Sequence, residues 1–248
     1  MACAVHLSRP LPGVACLRME DREGSNTFTK ALVCGLVDAL GEAVRDEDNR
    51  VVVLHGYDSL FCAGGTLDEL VGIADGQLAF DEGDFYRLLL DCPLPVISAM
   101  QGHAMGGGLV FGLYADLAVF SRESLYAANF MKYGFTPGMG ATELLPRKLG
   151  PVLAAELLFT ARGYHGQALA ERGLPFPVLP RAEVVPHALA LARDLADKPR
   201  ASLILLKKAL NATLLAALPE AVRREQAMHQ ETFAQDGIRL RIQQRYGN

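Results

Sequence analysis

Apolar residues along this chain follow two rhythms. Short apolar runs, unbroken or alternating, predict buried strands at Ala4 to Leu7, Gly13 to Met19, Arg50 to His55, Leu94 to Met100 and Asp116 to Phe120. Between them, helical spacing extends from about Thr29 to Val44 and returns near Phe85 to Leu90. Strands alternating with helices predict an α/β fold, a parallel sheet covered by helices, with ligands at the strand ends. From about Pro137 the pattern turns mostly helical, through Val152 to Phe159, Val185 to Ala196 and Leu203 to Leu215, with Pro180, Pro199 and Pro219 at the boundaries. Pro219 suits the first turn of a last long helix through Phe233, where a missing N–H costs little. With no repeat and no low-complexity linker between them, the helical part is expected to pack on the sheet part.

Two glycine-bearing segments follow predicted strands: Phe61-Cys62-Ala63-Gly64-Gly65 and Gly102-His103-Ala104-Met105-Gly106-Gly107-Gly108. The second leads into Leu109 to Leu113, which reads as a helix. Without side chains in the way, peptide N–H groups approach a ligand closely, and a helix start adds unpaired donors with partial positive charge. A developing enolate oxygen needs such donors.

Composition narrows the partners. Half of the 248 residues are hydrophobic, 21% are charged, and the formal charge is −4, so nothing favours nucleic acid. The start Met1-Ala2-Cys3-Ala4 lacks a basic region and long apolar core, and no uninterrupted 18-residue apolar stretch occurs elsewhere. We therefore expect a cytoplasmic protein without a membrane segment. The five cysteines, Cys3, Cys16, Cys34, Cys62 and Cys92, show no metal-ligand spacing and read as reduced thiols. Cys62 reads as a small packing residue, since no nearby signal supplies the base that a nucleophile needs. His6, His55, His165 and His187 do not cluster as metal ligands.

The two glycine segments, together with Ala115-Asp116-Leu117-Ala118-Val119 and Gly134-Phe135-Thr136-Pro137-Gly138-Met139-Gly140-Ala141-Thr142, resemble the crotonases, the enoyl-CoA hydratase/isomerase superfamily. The resemblance implies a spiral core of ββα turns, which we assign to residues 1–195, a C-terminal helical region at 196–248, and a homotrimer or a hexamer. It also implies oxyanion donors at the N–H groups of Gly65 and Gly107, with Ala63 in the substrate-binding wall. Hydratases of the family carry two glutamates where this chain has Val110 and Phe130. Neither side chain moves a proton or orients water, and both are expected to line the substrate-binding pocket. The oxyanion hole is kept while the hydration machinery is absent.

A narrower resemblance rests on Ile97-Ser98-Ala99-Met100-Gln101-Gly102-His103, Gly112-Leu113-Tyr114-Ala115-Asp116, Asn129-Phe130-Met131-Lys132-Tyr133-Gly134-Phe135-Thr136-Pro137, Ala170-Glu171-Arg172-Gly173-Leu174-Pro175-Phe176-Pro177 and His229-Gln230-Glu231-Thr232-Phe233. These runs are similar to the decarboxylating members found in polyketide β-branching cassettes. The implied substrate is a 3-methylglutaconyl thioester on the phosphopantetheine of an acyl carrier protein or on CoA, and no cofactor of the protein's own is implied. Loss of the distal carboxyl as carbon dioxide leaves a dienolate for the Gly65 and Gly107 donors to hold. Lys132 and Tyr133 belong to the shared run and are expected to shape the pocket or a subunit contact.

His229 shares a helical face with Val222 and Phe233 and so points inward. Periodicity alone favours a hydrogen-bonded core histidine; the resemblance makes it the catalytic imidazole. His103 reads as a brace for the glycine loop. Enzymes of this subgroup that form the conjugated product carry a Tyr and a Lys where this chain has Glu69 and Ile73, which leaves the proton donor open. Arg147, Lys148, Lys207 and Lys208 read as surface charges able to meet an acidic carrier protein. An enoyl thioester isomerase and a non-catalytic scaffold are the alternatives, and carbon dioxide release separates them from a decarboxylase.

Overall fold

The computed structural model describes residues 4–78 and 84–246; Cys3 lies outside them. The strands are β1 (Val5–Leu11), β2 (Val14–Met19), β3 (Val51–His55), β4 (Leu60–Cys62), β5 (Val96–Met100), β6 (His103–Met105), β7 (Leu117–Ser121), β8 (Leu125–Ala127), β9 (Gly163–His165) and β10 (Val178–Leu179). The helices are α1 (Lys30–Arg45), α2 (Leu67–Ala74), α3 (Leu88–Asp91), α4 (Gly107–Leu113), α5 (Phe130–Tyr133), α6 (Ala141–Leu149), α7 (Pro151–Thr160), α8 (Gly166–Glu171), α9 (Arg181–Ala196), α10 (Arg200–Phe233) and α11 (Ile238–Arg245).

Six strands form one sheet in the order β1-β2-β3-β5-β7-β10, and four form a second in the order β4-β6-β8-β9. In the larger sheet β1 runs antiparallel to β2, while β2 through β10 pair in parallel. Three successive turns of the chain, β3-β4-α2, β5-β6-α4 and β7-β8-α5, each place one strand in each sheet and then a helix. The result is a spiral of ββα units whose helices start at the ends of the small sheet.

Period-two alternation explains why Val51 to Leu54 read as continuously apolar. Val52 and Leu54 face the main core with α1 and α4, whereas Val51 and Val53 face a second core closed by Val184, Ala188, Ala192 and Ala196 of α9. Both faces of the strand are covered. Helix α1 buries Leu32, Leu36, Ala39, Leu40 and Ala43 along one stripe, and Thr29 caps it by accepting from Leu32 N at 3.1 Å.

Two expectations need correction. Pro219 lies inside one continuous helix, α10, and does not begin a new one. Loss of an intrahelical hydrogen bond at an interior proline costs about 3 kcal/mol, but the inward face of Leu214, Leu218, Ala221, Glu225 and His229 runs through it and keeps the helix on the core. That continuous burial outweighs the local penalty. The further helix α11 then folds back, burying Ile238 and Ile242.

Nor are all four basic residues surface charges. Lys207 is 5% exposed; its Nζ meets Asp116 at 2.8 Å and the carbonyls of Leu89 and Leu94 at 2.8 and 3.0 Å. Lys148 is half-buried with its Nζ on the Ala115 carbonyl at 2.7 Å, and burial lowers its pKa. Asp116 also accepts from Val96 N at 2.8 Å, so the ion pair ties α10 to the start of β5. Lys207→Ala would leave a carboxylate and two carbonyls poorly satisfied, and breaking such a buried pair typically costs about 3–5 kcal/mol. We expect a correspondingly large fall in unfolding free energy from urea titration, while Lys208→Ala, on the exposed side of the same helix, shifts it little.

Candidate active site

The starts of α2 and α4 meet where the two glycine segments come together. Gly106 takes a φ of 53° to turn β6 into α4, and a methyl group added there would lie 2.8 Å from Asn129 Oδ1. At Gly108 an added methyl would overlap the Cys62 carbonyl, so the two segments pack backbone against backbone. As the first residue of α4, Gly107 has a backbone N–H with no carbonyl of its own helix to bond. Gly107 lines a cavity of about 730 Å³, which Gly65 also lines.

Asn26, which the sequence pattern did not single out, holds the first segment in place. Fully buried with a φ of 48°, it donates through Nδ2 to the carbonyls of Met19 and Phe61 at 3.1 and 2.9 Å. Its own carbonyl accepts from Ala63 N at 3.3 Å and from the Cys62 thiol at 3.0 Å. Burial pushes that thiol up to about 12, which removes it as a nucleophile near neutral pH. His103 accepts through Nδ1 from Leu125 N at 2.8 Å, bracing β6 against β8, and burial, then Arg181 and His165, lower its pKa.

Ala63, Gly65, Gly107, Phe130 and Tyr133 all line the cavity. Val110 is completely buried in α4 behind it and takes no part in the lining. Lys132 also lies outside the lining; its carbonyl accepts from Arg241 and Arg245 of α11, each at 3.3 Å. Residues that the sequence pattern missed complete the wall: Lys30 at the start of α1, Phe85 and Tyr86, Met139, and Tyr246 beyond α11. The Tyr246 hydroxyl donates to the Gly65 carbonyl at 2.9 Å, so the far end of the chain clamps the first glycine segment.

His229 is 5% exposed and lines an adjoining recess of about 580 Å³ with Gln226, Gln230 and Phe233. The recess and the main cavity share Ile73 and Leu78 as walls. An aromatic ladder also joins them. The imidazole meets Phe233 edge-on at 5.5 Å, Phe233 stacks on Phe135 at 4.7 Å, and Phe135 stacks on Tyr133 at 5.8 Å. With Nε2–H donating to the Thr136 carbonyl at 2.9 Å, the ring orientation is set. Burial lowers the imidazole pKa, partly offset by the Thr136 and Pro137 backbone, which favours the neutral ring.

Glu225, one turn earlier on α10, caps α6. It is fully buried and accepts from Gly140 N at 2.7 Å, Thr142 N at 2.8 Å and Thr142 Oγ1 at 2.5 Å. A carboxylate is favourable at a helix N-terminus. The capped turn holds Met139, whose carbonyl accepts from Tyr114 at 2.6 Å and whose residue lines the cavity. Among the described residues no group of three or more His, Cys, Asp or Glu is placed to hold a metal ion.

The chain is similar to known proteins in sequence and in fold. The enoyl-CoA hydratase/isomerase family model matches residues 11–246. The chain is 48% identical over 232 residues to the bacillaene synthase decarboxylase PksI of Bacillus subtilis, covering 94% of this chain and 93% of that one. A solved structure of a dehydratase/decarboxylase enzyme couple involved in polyketide β-branching superposes with a TM-score of 0.96 at 46% identity, covering 98% of this chain and 96% of the other. The ECH2 decarboxylase domain of CurF from Lyngbya majuscula superposes at 0.95 with 43% identity over 98% of this chain and all of that domain. With its spiral of ββα turns and paired glycine segments, the chain belongs to the enoyl-CoA hydratase/isomerase family, has the crotonase fold, and is similar over nearly its whole length to decarboxylases of polyketide β-branching.

Proposed function

We propose that this protein decarboxylates a 3-methylglutaconyl thioester carried by an acyl carrier protein or CoA, through a dienolate held by the N–H groups of Gly65 and Gly107. The observation that carries this reading is the mismatch within the site. Gly65 and Gly107 both line the cavity, yet the two positions at which hydratases of the family carry glutamates hold buried Val110 and cavity-lining Phe130. Electrons released by a departing carboxylate need only an oxyanion sink, and a cavity walled by Phe28, Leu70, Ile73 and Phe85 strengthens the donors by excluding water. The decarboxylases PksI and CurF ECH2 are similar in sequence, which supports the same chemistry.

His229 is assigned the distal carboxylate. A carboxylate brought past Ile73 and Leu78 would offset the desolvation that keeps the ring neutral and so favour imidazolium. Phe130 and Tyr133 would contact the acyl group, Lys132 would shape the wall through α11, and exposed Lys30 would meet the phosphopantetheine phosphate at the rim. This chemistry calls for no cofactor of the protein's own. A homotrimer or hexamer is part of the reading, supported by the apolar side chains of Val152, Phe159, Leu205 and Leu210, which are 67–82% exposed. A cytoplasmic setting is supported by the free thiols of Cys16, Cys34, Cys62 and Cys92.

The direct test is the intact mass of a 3-methylglutaconyl acyl carrier protein after incubation. We expect loss of carbon dioxide and no enzyme-dependent hydration of crotonyl-CoA; efficient hydration would mean that another residue positions water. Gly107→Pro, which removes the N–H, should lower single-turnover decarboxylation on the order of a hundredfold or more relative to Gly107→Ala, which keeps it. Both variants press a carbon toward Met139 Sδ and Phe28, so the alanine variant controls for that contact, and folding of the proline variant is checked first because proline also constrains the backbone at the helix start. Equal rates in the two folded proteins would remove Gly107 from the oxyanion hole. His229→Ala should slow turnover strongly at a little-changed melting temperature; near-normal turnover in a destabilised protein would make it a core histidine.

A further inference from the structure

Decarboxylation ends with a proton returning to carbon, and the surroundings of the oxyanion hole contain one suitable acid. Among the described residues, Glu69 carries the single carboxyl group lining the cavity. It sits in the first turn of α2, and its Oε2 lies 3.7 Å from the point where a methyl group on Gly65 would be. The carboxyl therefore flanks an oxyanion donor.

The remaining wall supplies weaker candidates. Tyr246 has its hydroxyl on the Gly65 carbonyl at 2.9 Å, and Tyr133 accepts from Asn129 at 3.3 Å; burial raises both phenols, making them poorer acids. His229 stands behind Ile73 and Leu78, and Lys30 is exposed at the rim. Leu70, Ile73, Leu78 and Phe85 make the environment of Glu69 apolar, and burial raises its pKa. A carboxyl in such surroundings keeps its proton nearer neutral pH than a solvated one.

Resting on the decarboxylase reading, we propose that Glu69 is the catalytic acid, delivering its proton to the dienolate carbon next to the thioester carbonyl. The distal C–C bond breaks to release carbon dioxide, and its electron pair passes through the double bond to the thioester oxygen. As the enolate collapses, the Glu69 O–H proton forms the new C–H bond, and the Glu69 carboxylate then regains a proton from water. Because the acid flanks Gly65, the adjacent carbon is within reach while the carbon that lost carbon dioxide is two bonds farther along. The product is the β,γ-alkene, a 3-methylbut-3-enoyl thioester.

A purely structural role for Glu69 also exists. Thr66 Oγ1 accepts from Glu69 N at 3.1 Å, and the Thr66 backbone favours the Glu69 carboxylate, the arrangement of a capping box on α2. Glutamine fulfils that cap as well as glutamate but has no proton to give, whereas aspartate keeps the acid and caps less well. Wild type, Glu69→Gln and Glu69→Asp are therefore compared on 3-methylglutaconyl acyl carrier protein, by single-turnover rate, proton NMR of the released acyl group and melting temperature. We expect a terminal =CH₂ pair from wild type, a rate at least tenfold lower in Glu69→Gln at unchanged melting temperature, and Glu69→Asp faster than Glu69→Gln. Wild-type rate in Glu69→Gln, a slower Glu69→Asp than Glu69→Gln, or exclusively conjugated product from wild type at early times would each overturn the assignment. Absence of carbon dioxide release by wild type would overturn the decarboxylase reading itself.

Discussion

Backbone packed on backbone, where Gly108 lies against the Cys62 carbonyl, is the contact on which the rest of the site depends. Two parallel strand ends come close together here, and any side chain between them would hold them apart. Gly64, with a φ of 86°, makes the same approach from the other side: a methyl there would lie 2.7 Å from the Met105 carbonyl and 3.2 Å from Gly107 N. The spiral brings successive strand-to-helix junctions side by side, and the glycines let those junctions touch. Asn26 then fastens the first junction from behind with three hydrogen bonds to Phe61, Cys62 and Ala63, and ties it to Met19 of β2 with another.

Much of this was legible where periodicity is strong. Helix α1 and strands β2, β3, β5 and β7 match their apolar runs to within a few residues. The second sheet left no such trace, because β4, β6, β8 and β9 are three residues each and too short to show alternation. Pro219 was read by its local cost, while a buried stripe longer than the local defect governed the helix. Lys207 and Glu225 show a subtler loss. Both sit at helical spacing from buried Leu203, Leu214 and Leu218, the same arithmetic that turns His229 inward, but Lys207 was read as a surface charge and Glu225 was not singled out.

In the site, the legible part was which segments meet. Ala63, Gly65, Gly107, Phe130 and Tyr133 line one cavity, as the sequence runs suggested, whereas Val110 and Lys132 do not. Lys30, Phe85, Met139 and Tyr246 enter the same cavity from remote parts of the chain, and no local pattern marks residues whose only common property is a shared wall. The division between the main cavity and the His229 recess by Ile73 and Leu78 was similarly invisible, since it depends on how α2 and α10 lie together.

The Tyr246 clamp on Gly65 has a consequence for the order of events during folding. A wall drawn from residues 28 to 246 is made of contacts with very long sequence separation, which form late because loop closure must come first. The parallel sheet around β2, β3 and β5 can form while the clamp is still open. Residue 246 must therefore be synthesised and in place before the first glycine loop receives this hydrogen bond, so a clamped loop reports that residues 65 and 246 have already been brought together.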